Sequence, residues 1–119
     1  MENKALNEIP LTEVTFMILL SLFKSPKHGY AIMKDVEKLS GRRVQFSTGT
    51  LYGAIKRLLE DGWICRFEEE EQTEGKRERK SYELTDLGRA VFQAEFARLK
   101  SLMEISTLRM ADEVGRGIR

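Results

Sequence analysis

The hydrophobic and polar positions along the chain predict three helices, then a two-stranded hairpin, then a fourth helix. The first apolar segment, Val14 to Phe23, is apolar nearly all round, which is typical of a helix buried on more than one side. The second, about Tyr30 to Ser40, places Ile32, Val36 and Leu39 on one face. The surplus of apolar residues on the first helix indicates a partner subunit, because one small domain cannot cover every side of it.

The third helix carries the clearest two-sided pattern. Ser47 is a plausible N-cap, and the helix is expected to end at Gly62. With Leu51 on the inner face, Ile55 and Leu58 return to that face at about 100° per residue. The residues that point away, or lie at the borders of that face, are Gly49, Thr50, Tyr52, Gly53, Lys56, Arg57 and Glu60.

This outward surface suits a DNA groove. Hydroxyls and backbone N–H groups at a helix N-terminus meet phosphate, and lysine or arginine reaches phosphate or guanine. A glycine inside a helix costs about 0.5–1 kcal/mol relative to alanine, so Gly49 and Gly53 indicate that a bulkier side chain would be in the way. The alternative for this helix alone is an ordinary amphipathic helix with a solvated face.

The hairpin is predicted from two segments, Trp63 to about Phe67 and Ser81 to Leu84, which are joined by a long polar loop. Cys65 and Phe67 alternate with charged residues, the two-residue period of a half-buried strand, and are expected to face inward. Cys65 is then more simply a core residue than a redox sensor. Trp63 is expected to anchor the hairpin to the helices.

The hairpin is strongly charged. Four cations lie within five residues at or just past its tip, where a wing meets the DNA backbone or the minor groove: Lys76, Arg77, Arg79 and Lys80. A solvated charge run is the alternative. The acidic run Glu68 to Glu71 on the first strand would be repelled by phosphate. It either faces away from DNA or pairs with the cations across the hairpin, and both alternatives stay open.

The last helix is expected to begin after the cap residue Thr85, at Asp86, and to reach about Glu113, a length of about 40 Å. Apolar residues recur along it at alternating spacings of four and three, the spacing of a helix seam. A symmetric dimer explains both this stripe and the first helix, whereas packing back on its own domain is the alternative. The expected dimer residues are Phe16, Leu20, Phe92, Phe96, Leu99, Met103, Ser106 and Met110.

Composition limits the classes of function. The chain has 119 residues, 41% of them hydrophobic and 33% charged, with a net charge of +1, so any affinity for nucleic acid must come from local clustering. A single cysteine excludes an internal disulfide, and a single histidine, His28, leaves no histidine pair for a metal or for catalysis. His28 is expected to cap or pack the start of the second helix. Phosphate loops and nucleophile elbows are absent, so neither an enzyme nor a cofactor is predicted.

The segment before the first helix is polar and has no hydrophobic signal core. The most apolar run is about half of the length that spans a bilayer. We therefore expect a cytoplasmic protein that does not bind membranes.

At this point the chain resembles the PadR-like transcriptional regulators over nearly its full length. Four motifs in order carry the resemblance: His28-Gly-Tyr-Ala-Ile32, Gly49-Thr-Leu-Tyr52 with Lys56-Arg-Leu58, Glu60-Asp-Gly-Trp-Ile64 and Tyr82-Glu-Leu-Thr-Asp-Leu-Gly88. The resemblance implies a mainly α fold with a small β-hairpin (α+β). Residues 1–85 would form a winged helix-turn-helix DNA-binding domain, and residues 86–119 a dimerisation helix of the compact subgroup.

The resemblance also implies a function. Such proteins are homodimeric DNA-binding regulators, commonly repressors, that are released by a small effector or a stress signal. Their last helix packs on the partner's last and first helices. A two-fold dimer predicts an inverted-repeat operator in double-stranded DNA, with half-sites about 34–36 Å apart. Together with the outward face, the resemblance assigns DNA binding to Ser47, Thr48, Gly49, Thr50, Tyr52, Lys56 and Arg57 and to the four wing cations.

The chain departs from the family pattern in two places. Gly53 stands where many members have proline, and the last helix lacks the tryptophan with which some compact members bind flat aromatic drugs. The near-neutral charge and the acidic strand support a second hypothesis, a winged-helix protein-interaction module that does not bind DNA.

Overall fold

The structure, a computed structural model, describes residues 9–69 and 79–115. It is mainly helical with a small antiparallel sheet, which confirms the predicted fold class. The elements in chain order are α1 (Glu13–Phe23), β1 (Lys27–His28), α2 (Gly29–Leu39), α3 (Thr48–Glu60), β2 (Ile64–Glu69), β3 (Arg79–Leu84) and α4 (Asp86–Gly115). Within these ranges, no helix is both long enough and apolar enough to cross a membrane.

Hydroxyl side chains begin three of the four helices. The Thr12 Oγ1 accepts a hydrogen bond from the Thr15 backbone N–H at 3.1 Å, at the start of α1. Ser47 and Thr85 make the same type of bond at the starts of α3 and α4, at 3.1 and 3.0 Å. Each bond satisfies one of the backbone donors that a helix start leaves unpaired. The two caps predicted for α3 and α4 are therefore confirmed.

The sheet has three strands, in the order β1-β3-β2, all antiparallel. The sequence predicted only the last two of them, as the hairpin, and placed no strand between the first two helices. Two residues are too few to show an alternating pattern. They become a strand because Lys27 pairs with Tyr82 and His28 with Ser81, more than fifty residues along the chain.

The sheet turns the opposite face of β2 toward the helices from the one predicted. Ile64 lies opposite Leu84, and both side chains are buried. Cys65 and Phe67 lie on the other face and are exposed, so the expectation that they face inward is wrong. Alternation separates the two faces of a strand but does not say which one meets the core.

A single hydrophobic core joins all the helices and the sheet. Trp63 is 5% exposed and holds the start of β2 against the helices, as predicted. The core includes the first turns of α4 through Val91 and Phe92. The side chains that are less than 2% exposed include Ile18, Leu19, Leu22, Ile32, Val36, Leu51, Ile55, Leu58 and Val91.

The start of α4 is held against the turn between α3 and β2. The Thr85 Oγ1 donates to the Gly62 carbonyl at 2.6 Å, and the Thr85 N–H donates to the Trp63 carbonyl at 3.1 Å. Gly88 lies so close to Trp63 that a Cβ on it would sit 2.9 Å from the Trp63 carbonyl carbon and would overlap the carbonyl oxygen. Only glycine allows the helix to approach the Trp63 backbone this closely.

Helix α4 leaves this junction along α1. The Phe92 ring stacks on Phe16 at 4.7 Å between centroids and meets Phe23 at 5.2 Å, while the Arg89 guanidinium lies 4.9 Å from the Phe23 ring centre. Phe92 is 7% exposed. Phe92 was expected to lie in the dimer seam, but its ring packs against α1 of its own chain.

A buried carboxylate completes the attachment of α4. Glu95 is 2% exposed; its Oε2 accepts from the Leu11 backbone N–H at 3.0 Å, and its two oxygens accept from Arg98 Nε and Nη2 at 2.7 and 2.9 Å. The hydrogen bonds from Arg98, and then the one from Leu11, hold the pKa of Glu95 below its ordinary value even though burial opposes the shift. The carboxylate thus joins the segment before α1 to α4.

We predict that Glu95→Gln lowers the free energy of unfolding by about 1–3 kcal/mol, the range for hydrogen bonds to a charged group. Because the pKa of Glu95 is lower in the folded chain, its charge stabilises the fold above the ordinary glutamate range. This contribution is lost as the pH falls below about 4.5. Urea denaturation at neutral and acid pH measures both effects.

The matched control is Glu104→Gln, an exposed glutamate on the same helix, which should behave as wild type. If both variants lose stability equally, the buried carboxylate does not stabilise the fold in the way proposed. If the stability of the Glu95→Gln protein falls at acid pH as much as that of the wild type, Glu95 is not the source of the pH dependence.

Candidate nucleic-acid interface

Helix α3 presents one buried and one exposed face, as its sequence predicts. Its inner residues Leu51, Ala54, Ile55 and Leu58 are at most 5% exposed and pack in the core. The opposite face is exposed along the whole helix. It carries Thr48, Gly49, Thr50, Tyr52, Gly53, Lys56, Arg57 and Glu60.

The two outward glycines have no role in the packing of their own chain. A Cβ on Gly53 would have no neighbour within 4 Å, and one on Gly49 would meet only the Ser47 Oγ at 3.8 Å. Neither has a positive φ; among the described glycines that backbone occurs at Gly41 and Gly62. Alanine would fit at either position and would favour the helix. The space that these glycines leave therefore lies on the outside of the molecule.

The first turn of α3 combines hydroxyls with helix N–H groups. The Ser47 Oγ accepts from the Thr50 N–H and donates to the Thr50 Oγ1 at 3.2 Å. A helix N-terminus carries a partial positive charge and attracts anions. This exposed turn is chemically suited to a phosphate oxygen.

Two cations follow on the same face. The Lys56 Nζ lies 3.9 Å from the Glu60 Oε2, one turn later, and both side chains are mostly exposed. Such exposed pairs contribute about 0.3–0.5 kcal/mol, so the lysine can exchange this partner for a phosphate at little cost. Arg57 is also exposed.

The wing is described only in part. Lys80 is exposed near the start of β3. Lys76, Arg77 and the Arg79 side chain lie outside the described residues. The backbone register places Glu68 opposite Lys80 and Glu69 opposite Arg79. This register brings the acidic strand beside the cationic one, which is the arrangement that charge pairing across the hairpin requires.

His28 connects the wing to the helices. Its backbone occupies the N-cap position of α2, as expected, but its side chain makes no cap hydrogen bond. The ring Nδ1 instead lies 3.2 Å from the Ser81 Oγ and 3.3 Å from the Lys80 carbonyl oxygen. Sequence reasoning missed this role, because no local pattern joins residues more than fifty positions apart.

The wing and α3 meet at the start of α2. Next to His28, Gly29 is buried, and the ring of Tyr52 on α3 lies against it. A line of contacts therefore runs from Lys80 through His28 and Gly29 to Tyr52. These contacts link one predicted residue of α3, Tyr52, to the described base of the wing.

We predict that Ser47→Ala lowers the free energy of unfolding by about 1 kcal/mol, because the Thr50 N–H loses its capping acceptor. The matched control is Thr48→Ala, one position further on and equally exposed, which should change stability little. Chemical denaturation of both variants decides this; equal losses would mean that capping is not what Ser47 contributes.

Three helices followed by an antiparallel hairpin, β2 and β3, define a winged helix-turn-helix protein. Within this class, residues 18–94 match the model of the transcriptional regulator PadR-like family. The chain therefore belongs to the PadR-like family. Members of that family are regulators of transcription and not enzymes.

Several solved structures share this fold. A PadR family transcription regulator from Clostridium difficile R20291 is 26% identical, with 83% of this chain and 99% of that chain covered and a TM-score of 0.68. A PadR-like transcription factor from Bacteroides fragilis is 29% identical, with 79% and 86% covered and a TM-score of 0.67. Bacillus subtilis PadR, solved in complex with operator DNA, is 27% identical, with 74% and 47% covered and a TM-score of 0.60.

A curated relative is an uncharacterized 37.1 kDa protein in transposon TN4556 of Streptomyces fradiae. It is 32% identical over 83 residues, which are 70% of this chain. The match spans 22% of that protein, so the chain corresponds to about a fifth of its length.

Proposed function

We propose that this protein is a sequence-specific, homodimeric repressor of transcription that binds an inverted repeat in double-stranded DNA. The observation that carries the proposal is the exposed face of α3, whose two glycines serve no packing within the chain. The solved complex of B. subtilis PadR with operator DNA supports it, because that relative has the same fold.

In this proposal, the outer face of α3 enters the major groove. Gly49 and Gly53 allow the helix to approach the bases closely, since no side chain separates the backbone from the groove. The exposed first turn at Ser47, Thr48 and Thr50 binds the phosphates that flank the groove. Lys56 and Arg57 follow along the same face.

The wing is proposed to bind the neighbouring backbone through Lys76, Arg77, Arg79 and Lys80. The hydrogen-bond acceptor at the base of the wing is the Lys80 carbonyl, which lies 3.3 Å from His28 Nδ1. This contact holds the described start of β3 close to α2. Phosphate contacts of this kind add affinity for any sequence and position the protein for base contacts.

We predict that changing the four wing cations together to alanine weakens binding to all duplexes. The slope of log K against log salt should flatten by about 0.9 for each phosphate contact that is lost. Titration of a labelled random-sequence duplex at several salt concentrations measures this.

The matched control removes two exposed cations away from α3 and the wing, Lys24 and Lys100, and should leave the slope unchanged. An unchanged slope in the wing variant would remove the wing from the phosphate contacts. Absence of binding by the wild type even at low salt would favour the protein-interaction module instead.

Dimerisation is proposed through α4, supported by α1. Every residue of α4 from 99 to 113 is exposed. Exposed apolar surface of this extent marks an interaction site rather than the surface of a monomer. The stripe proposed for the partner contains Phe96, Leu99, Met103, Ser106 and Met110, with the half-buried Phe16 and Leu20 beside it. The large exposed apolar residues on this helix include Phe96, Leu99, Leu102, Met103, Ile105, Leu108 and Met110.

We predict that Phe96→Glu, at a position 54% exposed in the single chain, converts the dimer to monomers, because a carboxylate would be buried in the proposed seam. Sedimentation measures the mass. Ala97→Glu is the matched control: it adds the same charge at the next position, about 100° away from the stripe, and should remain dimeric. A stable Phe96→Glu dimer would place the interface elsewhere.

Release by a small effector or a stress signal completes the proposal. Phe96, Met103 and Met110 are each more than half exposed in the single chain, and methionine is suited to lining adaptable binding surfaces. The experiment that tests the proposed function as a whole is a protection footprint on the DNA upstream of the coding region. It should show two protected half-sites with centres about 34–36 Å apart, on one side of the duplex.

A further inference from the structure

The Tyr52 ring lies where α3 meets α2. Tyr52 belongs to the exposed face of α3 and is 45% exposed. The end of its ring is packed over the backbone of Gly29, the first residue of α2. A Cβ on Gly29 would lie 2.9 Å from the Tyr52 Cζ and 3.1 Å from Cε1, and would overlap the hydroxyl oxygen. Residue 29 therefore has room for no side chain while Tyr52 holds this position.

Space, and not backbone conformation, explains the glycine at position 29. Positive φ angles occur at Gly41 and Gly62 among the described glycines, and Gly29 is in the first turn of an ordinary helix. Alanine is a better helix former than glycine at such a position. The atoms that would clash with an alanine Cβ at position 29 belong to the far end of one flexible side chain, Tyr52.

Tyr82 lies on β3 and is 4% exposed. Burial raises the pKa of Tyr82 on β3, and the neighbouring Tyr52 raises it further. Nearly half of the surface of Tyr52 stays open to solvent.

Resting on the proposed function, we propose that Gly29 is a positioning residue for DNA binding. Because residue 29 has no side chain, the Tyr52 ring can pack on its backbone, at the edge of the surface proposed to bind DNA. From this position the Tyr52 hydroxyl donates a hydrogen bond to a DNA phosphate. Tyrosine hydroxyls are among the groups that contact the DNA backbone, and such contacts are independent of sequence. Gly29 itself touches no DNA in this account.

The proposal makes a specific statement about two substitutions. Tyr52→Phe keeps the ring and removes the hydroxyl. Gly29→Ala keeps the Tyr52 hydroxyl, but the added methyl group displaces the Tyr52 ring from the α2 backbone. The hydroxyl then no longer reaches the phosphate. Because both changes remove the same hydrogen bond, combining them should cost no more affinity than either one alone.

The experiment is a double-mutant cycle with the full chain and a labelled random-sequence duplex of about 30 base pairs, long enough for two half-sites one helical turn apart. Each single variant should bind about tenfold more weakly, the ratio expected for the loss of one hydrogen bond to a charged group. The double variant should also be about tenfold weaker, whereas independent effects would multiply to about a hundredfold.

Two further measurements separate positioning from folding. The melting temperature of Gly29→Ala should equal or exceed that of the wild type, because alanine favours the helix and the half-exposed ring can swing into solvent. Tyr30→Phe is the matched control: it removes a hydroxyl from the adjacent residue, 64% exposed with Lys34 near its ring, and should keep the wild-type affinity.

The outcomes distinguish the inference from the proposed function. If the wild type binds the duplex but the two losses multiply, or if either single variant binds as well as the wild type, the positioning role of Gly29 is overturned while DNA binding stands. If Tyr30→Phe loses the same affinity as Tyr52→Phe, the assignment to Tyr52 fails. If the wild type binds no duplex at low salt, both proposals fail together.

Discussion

The burial of one side of α3 is the constraint on which the rest of the structure depends. Leu51, Ile55 and Leu58 are each at most 2% exposed, so the helix can neither rotate nor slide without bringing apolar surface into water. Its other side is left facing outward at a fixed angle. Hydroxyls, cations and two glycines without internal neighbours lie on that side. The surface that we propose to bind DNA therefore follows from core packing, because the core decides which residues of α3 are held outside.

The same core packing fixes the first turns of α4. Gly88 lies against the Trp63 backbone, Phe92 stacks on α1, and Glu95 holds the Leu11 N–H and Arg98. These contacts attach the first turns of α4 to the rest of the chain, whereas residues 99–113 of the helix are exposed. A partner that binds the exposed part would thus also set the position of α3 relative to its copy. The proposed dimer and the proposed DNA contact depend on one junction.

Local pattern was enough for several features of the fold and the candidate site. The caps Ser47 and Thr85, and the division of α3 into two faces, follow from short-range rules in which each residue interacts with others one turn away. Longer-range features could not be predicted in this way. Strand β1 exists only through pairing with β3. The inward face of β2 is set by the contact of Ile64 with Leu84. Phe92, which was expected in the dimer seam, packs on Phe16 of its own chain. The relation between Gly29 and Tyr52 belongs to the same group.

The sequence by itself determined the order of the four helices and the hairpin, the apolar and polar sides of α3 and the family to which the chain belongs. Hydrophobic periodicity and helix capping depend on residues four or five positions apart, so they can be recognised from the sequence alone. The spacing of the family motifs is likewise a property of the sequence. Only the tertiary structure decided which apolar residues are used inside the chain and which remain for a partner. It also decided which side chains from distant segments meet at the start of α2. The physical reason is that burial depends on which surfaces come together in space. The sequence pattern shows that one side of an element is apolar, but it does not show which other element packs against that side.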